Sequence, residues 1–198
     1  MDQLLVENLS CSRGSGLIFK NLTFKLDKGQ ILLVNGSNGS GKTSLLRMMA
    51  GFIDPSEGKI IPNKKFTHRD VHFIGQKFAL KKNLSIKKNL HLWSQLYKKK
   101  INSEEILSIL DLIKYGNEDV EVLSDGQKRR LSLVRLFIHS APLWLLDEVH
   151  VHLDQEWQKF LNQYIYDHTN NGGIVIVSSN TKIELNSNLE INMINYNV

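Results

Sequence analysis

The chain has 198 residues, 41% of them hydrophobic, which is enough to bury a sizeable core in one domain or in one domain with an inserted lobe. Its longest uncharged apolar runs are strand-sized, far short of the roughly 20 residues of a membrane span, and a single cysteine, Cys11, excludes an internal disulfide framework. The net charge of +5 would favour an anionic partner only where the charge is concentrated.

The N-terminus carries neither the apolar core of a signal peptide nor an Arg/Ser-rich transit pattern, so the sequence reads as a protein made where it works or already processed. Leu4 to Val6, Ile18 to Phe24 and Ile31 to Val34 read as three short strands, separated by Arg13-Gly14-Ser15-Gly16 and Asp27-Lys28-Gly29. Directly behind the third comes Gly36-Ser37-Asn38-Gly39-Ser40-Gly41-Lys42-Thr43, which satisfies G-x-x-x-x-G-K-[ST]. The glycines let the backbone curl so that consecutive N–H groups face phosphate oxygens, and the helix starting near Lys42 adds its positive end. Lys42 would reach the β- and γ-phosphates as a point charge, and the Thr43 hydroxyl is a hard oxygen suited to Mg²⁺. A flexible glycine turn would not need the apolar helix that follows, with Leu45, Leu46, Met48 and Met49.

Gly51 ends that helix, Asp54 to Gly58 is a turn, and Lys59 to Pro62 and Val71 to Ile74 are further strands. From Asn83 to Leu112 the apolar positions keep a helical period, which predicts a helical lobe. Lys81, Lys82, Lys87, Lys88, Lys98, Lys99 and Lys100 fall here. They read as a solvated face or as a surface near anionic lipid headgroups; nucleic acid is not expected as a partner. Leu123-Ser124-Asp125-Gly126-Gln127 opens another helix, with Ser124 as its N-cap and Leu131, Val134, Leu136 and Phe137 on its apolar side.

Leu143 to Leu146 is a fully buried strand that ends in Asp147-Glu148, two carboxylates at the edge where open α/β sheets hold ligands. A helix from about Gln155 to His168, the turn Asn170 to Gly173 and the strand Ile174 to Val177 complete a β-α-β unit, and Leu189 to Val198 reads as edge strand. His150 and His152 share a face but have no further ligand spaced to complete a metal site. Cys11 reads as a small core or loop residue and Trp144 as packing.

With the phosphate loop, the Leu123 to Gln127 pentapeptide and the Asp147-Glu148 strand together, the sequence resembles the nucleotide-binding subunits of ABC transporters over essentially its whole length. The blocks Gly36 to Arg47, His72 to Gly75, Gly126 to Leu131 and Pro142 to Glu148 are most similar to the cytochrome c maturation (Ccm) branch of that family, which works in haem handling. The resemblance implies an α/β fold: a P-loop NTPase of ABC type, 1–198 as a single ATP-binding domain with an antiparallel β subdomain and an inserted helical subdomain at roughly 77–140. It implies ATP and Mg²⁺ as cofactors and a head-to-tail homodimer. ATP would lie between Gly36 to Ser44 of one protomer and Ser124, Gly126 and Gln127 of the other. Asp147, Thr43 and Gln76 would serve Mg²⁺, Glu148 would polarise the attacking water, and Asp154 would communicate across the dimer. Membrane-spanning Ccm-type subunits would dock near Gln76 and the Lys-rich lobe. The chain would sit peripherally on the inner face of an inner membrane, bacterial or mitochondrial, with no haem of its own.

Three departures from the family pattern bear on turnover. Asn180 stands where the family has the switch histidine; it can donate a hydrogen bond but is shorter and never cationic. Asp125 replaces a small residue, and a carboxylate turned toward a triphosphate would be repelled by roughly 1 to 4 kcal/mol depending on screening. Arg13 replaces the aromatic ring that stacks on adenine, where a guanidinium can also stack. The reading is an ATPase subunit serving haem handling in cytochrome c biogenesis. Its alternatives are a nucleotide-gated, poorly hydrolysing structural subunit and the ATPase of an exporter of another substrate.

Overall fold

A computed structural model describes residues 3–14, 16–62, 67 and 69–197. Ser15, in the first expected turn, and Val198, at the expected terminal edge strand, lie outside them. The first two strands are much longer than their apolar cores suggest. β1 (Gln3–Arg13) and β2 (Gly16–Asp27) form an antiparallel hairpin with register shifts after Val6, Leu9 and Cys11. Polar residues lengthen them because only one face is buried: Leu22, Phe24 and Leu26 point inward between exposed neighbours. β4 (Glu57–Ile61) pairs with the other edge of β1, giving the order β2-β1-β4.

The second sheet is parallel, with the order β5-β6-β7-β3-β8: β5 (Val71–Ile74), β6 (Leu143–Asp147), β7 (Ile174–Ser179), β3 (Ile31–Asn35) and β8 (Leu189–Asn192). β6 and β7 are buried along their whole lengths, which is why they read as continuous apolar runs. The expected terminal edge strand is only four residues long and gives way to a 3-10 turn, Met193–Tyr196. One core lies between the antiparallel layer, helix α1 (Lys42–Met49) and one face of the parallel sheet. A second covers the opposite face under α6 (Gln155–Asn170), which presents Leu161 and Ile165.

A third core holds the helical lobe together: α2 (Ile86–Tyr97), α3 (Ser103–Ile109), α4 (Asp125–Ser132) and α5 (Val134–Ile138). The expected single helix after Ser124 is broken at Leu133. The Ser132 hydroxyl donates to the Arg129 carbonyl at 2.7 Å, and the Leu133 N–H bonds back three residues to Arg130.

Four parallel neighbours, β5, β6, β7 and β3, all point their C-terminal ends the same way. The segments that leave those ends are therefore side by side: the Gln76 loop, Asp147-Glu148, Ser178 to Asn180, and the phosphate loop. That adjacency positions the site.

Candidate functional site

The phosphate loop leaves β3 at Asn35, whose register partner on β7 is Ser179. Two of its glycines are required by geometry. Gly36 has φ 155° and its missing side chain is the room taken by the Ser40 hydroxyl. Gly41 has φ 96° and a Cβ there would lie 2.9 Å from Ile18 and Phe19. Ser40 is buried, with its hydroxyl turned toward Gly36 and not into the pocket. α1 starts at Lys42, whose ammonium donates to the carbonyls of Gly36 (2.7 Å) and Ser37 (3.0 Å).

The two carboxylates at the end of β6 are held differently. Asp147 is buried; its Oδ1 accepts from Ser178 Oγ at 2.6 Å and its Oδ2 from Thr43 Oγ1 at 2.9 Å. Glu148 has left the strand with φ 53°, an uncommon conformation for a side chain of this size. Its N–H donates to the carbonyl (3.1 Å) and hydroxyl (3.2 Å) of Ser178, and the left-handed turn aims its carboxylate at Lys42, 3.4 Å away. Lys42 is 4% exposed and Glu148 12%, so water screens the pair weakly. Ser178 thus orients both carboxylates. The strand expected over Ile174 to Val177 stops one residue short of Ser178, and nothing local distinguishes a serine that faces two acids from any other serine at a strand end.

A pocket of about 360 Å³ joins Arg13, Asn38, Gly39, Gly41, Lys42, Thr43, Ser44, Gln76 and Glu148, and adds Ile18 and Arg47, which sequence reading had not picked. Three cations, Arg13, Lys42 and Arg47, face one carboxylate, so the pocket favours an anion. Thr43, Gln76 and Asp147 line a neighbouring space of about 350 Å³. Asn180 leaves β7 and donates Nδ2 to Asn38 Oδ1 at 3.0 Å.

The remaining expected residues are elsewhere on the chain. Ser124 and Gln127 form a capping box: the Ser124 hydroxyl accepts from the Gln127 N–H at 3.2 Å, and Gln127 Oε1 accepts from the Ser124 N–H at 2.9 Å. Gly126 packs so closely that a Cβ would come within 2.9 Å of the His152 carbonyl. Asp125 is 64% exposed and lies 3.8 Å from Lys128. Asp154 caps α6 by accepting from the Trp157 N–H at 2.9 Å. None of these lines the phosphate-loop pocket.

His150 is buried against Asn162, with Nε2 2.7 Å from its Oδ1, and burial holds its pKa below the usual imidazole value. Cys11 is a free thiol in the first core, its pKa raised by burial. Trp144 is buried and stacks on His168 with ring centres 3.8 Å apart.

The ABC transporter family model matches residues 19–151. The chain belongs to the ABC transporter family. Its place within that family as an ATP-binding ATPase subunit agrees with its α/β P-loop fold. The chain is 32% identical over 198 residues to the "Cytochrome c biogenesis ATP-binding export protein CcmA" of Reclinomonas americana, covering 95% of this chain and 89% of the relative. It is 31% identical over 204 residues to the protein of the same name from Haemophilus influenzae, covering 98% and 96%. It is 36% identical over 193 residues to "ABC transporter I family member 1" of Arabidopsis thaliana, covering 92% and 84%. A solved putative ABC transporter ATP-binding protein from Pyrococcus furiosus superposes with a TM-score of 0.83 at 24% identity, covering 99% of this ABC subunit and 100% of that chain. A dimeric ATP-binding cassette bound to ADP and Pi superposes with a TM-score of 0.76 at 22% identity, covering 90% and 88%. These two likenesses speak to the fold.

Proposed function

We propose that this ABC subunit hydrolyses Mg²⁺-ATP to drive membrane subunits of a complex for haem handling in cytochrome c biogenesis. The observation that carries the chemistry is the convergence of Lys42, Thr43, Asp147, Glu148 and Gln76 at one edge of the parallel sheet. The assignment to cytochrome c biogenesis rests on the names of the relatives that this chain matches at near full length.

The residues fit the nucleotide and its metal. Phosphate oxygens entering the loop would meet the N–H groups of Gly39 to Thr43 and the Lys42 ammonium, which now rests on two loop carbonyls that a phosphate would replace as its partners. Thr43 and Asp147 already present two hard oxygens 2.9 Å apart beside Gln76. Among the described residues no group of three His, Cys, Asp or Glu could hold a metal ion, and Mg²⁺ is usually held by one or two side chains together with phosphates. Bound there, Mg²⁺ would neutralise charge on the transferred phosphoryl group. Glu148, fixed through Ser178, orients and polarises the attacking water. Arg13 stacks on the base.

Ser124, Gly126, Gln127 and Asp154 lie outside the pocket of their own chain, which suits a site completed by a second copy arranged head to tail. Asp125 points to solvent and Lys128, which relieves the expected repulsion. No helix among the described residues is long and apolar enough to cross a membrane, and the subunit is held at the inner face of an inner membrane by its partners.

A second reading is favoured by one contact. Asn180 donates through Nδ2 to Asn38 Oδ1, and an amide is shorter than an imidazole and never cationic, which suits a subunit that binds ATP and dimerises while turning over slowly. ATP turnover by the chain co-purified with its membrane subunits, beside Lys42→Ala, Glu148→Gln and Asn180→His, separates the readings. A working motor shows turnover that both Lys42→Ala and Glu148→Gln abolish and that Asn180→His changes little. Binding without turnover, with a large gain in Asn180→His, establishes the slow clamp. Equal hydrolysis by wild type, Lys42→Ala and Glu148→Gln rules out the site.

A further inference from the structure

We infer that Arg129 is a positioning residue for Gln76, locking the loop after β5 to the helix that follows the Leu123 to Gln127 segment. The inference rests on the proposed role of Gln76 at Mg²⁺.

Arg129 lies one turn into α4 and is 1% exposed. Its Nη1 donates to the Gly75 carbonyl at 2.9 Å and its Nη2 to the Gln76 carbonyl at 3.1 Å. These two carbonyls flank the Gln76 residue, so a planar fork that grips both fixes the backbone from which the Gln76 side chain departs. The Arg129 guanidinium carbon is also 5.1 Å from the centre of the Phe78 ring, and the Phe78 and His152 rings are T-shaped with centres 6.4 Å apart. One buried cation thus touches α4, the Gln76 loop and, through Phe78, the loop that follows Glu148.

The energetics make a packing role an insufficient account. Among the described residues Arg129 has no carboxylate within ion-pair distance, and its Nε has no partner. Burial, joined by Arg135 and opposed by Asp147 and Glu148, lowers its pKa to about 10, and the group remains a cation at neutral pH. An apolar side chain of similar volume would fill such a space without the desolvation that a charge suffers. What an apolar residue could not supply is the two-point grip on 75 and 76. Arg130, next in sequence, points outward to Asp111 at 3.0 Å and to Trp157, so the inward grip belongs to Arg129. When α4 moves, Gln76 moves with it.

The test measures the dissociation constant of ATP with and without Mg²⁺ for the full chain, with amide exchange over residues 75–80 as a second readout. Arg129→Gln is expected to lower the Mg²⁺-dependent gain in affinity about tenfold and to speed exchange over 75–80, leaving Mg²⁺-free ATP affinity within about twofold. Arg129→Lys keeps the charge without the fork and is read by the same criterion should Arg129→Gln not fold. Gln76→Ala is measured alone and combined with each. If Arg129→Gln alone lowers the Mg²⁺ effect, Gln76→Ala loses it, and the combined change loses no more than Gln76→Ala, Arg129 acts through Gln76. If Gln76→Ala loses the effect and the Arg129 change is silent or fully additive, the positioning role is overturned. If Gln76→Ala alone changes nothing, the Gln76 assignment fails and this inference fails with it.

Discussion

At the scale of single residues, the chemistry depends on small side chains that hold large ones. Ser178 is fully buried and faces both acids, donating to Asp147 and accepting from the Glu148 N–H. Ser178→Ala leaves Asp147 with one partner fewer and the Glu148 N–H with the backbone carbonyl of position 178 as its one remaining acceptor. The expected cost is about 1–3 kcal/mol in unfolding free energy and a fall in ATP turnover of about tenfold, the affinity for Mg²⁺-free ATP changing little. Denaturant unfolding and steady-state hydrolysis check it; an unchanged rate would mean that Glu148 is oriented by something else. Neither role of Ser178 is visible in the string Val175-Ile176-Val177-Ser178-Ser179. The Lys42–Glu148 contact is equally hidden, since the two residues are far apart in sequence and meet only because β3 and β6 flank β7. By contrast, Gly36, Gly41, Lys42 and Thr43 were legible at once, because the chain must curl locally to make a phosphate loop.

At the scale of elements, the helical lobe is fastened to the parallel sheet through a buried histidine. His72, on β5, places Nε2 2.6 Å from the His139 carbonyl and Nδ1 3.2 Å from the Tyr97 hydroxyl at the end of α2. Desolvation lowers its pKa to about 4, helped by Arg135, His139 and His168 and opposed by the bond to the His139 carbonyl. His168, stacked on Trp144, is lowered to about 4 by burial as well. A histidine with a depressed folded pKa binds fewer protons in the folded state than in the unfolded chain between about pH 4 and 6.5. Its contribution is therefore complete above pH 6.5 and lost as pH falls toward 4. For His72 the loss is on the order of 3 kcal/mol. Urea unfolding across this range is expected to show stability rising with pH, and His72→Gln is expected to flatten the slope; an equal slope in that variant would exonerate His72. Helical periodicity marked the lobe's helices well. It missed the break at Leu133, because the Ser132 hydroxyl competes with the backbone only once the helix has formed.

At the scale of the whole molecule, Ser124, Gly126, Gln127 and Asp154, expected to complete the site, do not line the pocket of their own chain. Glu148→Gln retains nucleotide contacts while removing the carboxylate proposed to activate water. With saturating Mg²⁺-ATP this variant is expected to sediment as a dimer and to return to monomer when ATP is replaced by ADP; a persistent monomer under both conditions would argue against a shared site. The Ser124→Ala change, which removes the capping hydroxyl of α4, is expected to weaken that dimer and to cost about 1 kcal/mol in the isolated chain.

By itself the sequence determined the phosphate loop, the strand ending in two carboxylates, the helical lobe and the family. Each of these is written in a contiguous stretch whose backbone needs, apolar period or charge spacing are local. The tertiary structure alone decided that Ser178 serves both acids, that Asn180 meets Asn38, that Arg47 joins the pocket and that Arg129 turns inward while Arg130 turns out. It also lengthened β1 and β2 beyond their apolar cores, since an antiparallel ladder extends through polar residues whenever a partner strand supplies the hydrogen bonds. These facts arise where strands distant in sequence become neighbours in one sheet, and no local pattern of residues encodes which strand will lie beside which.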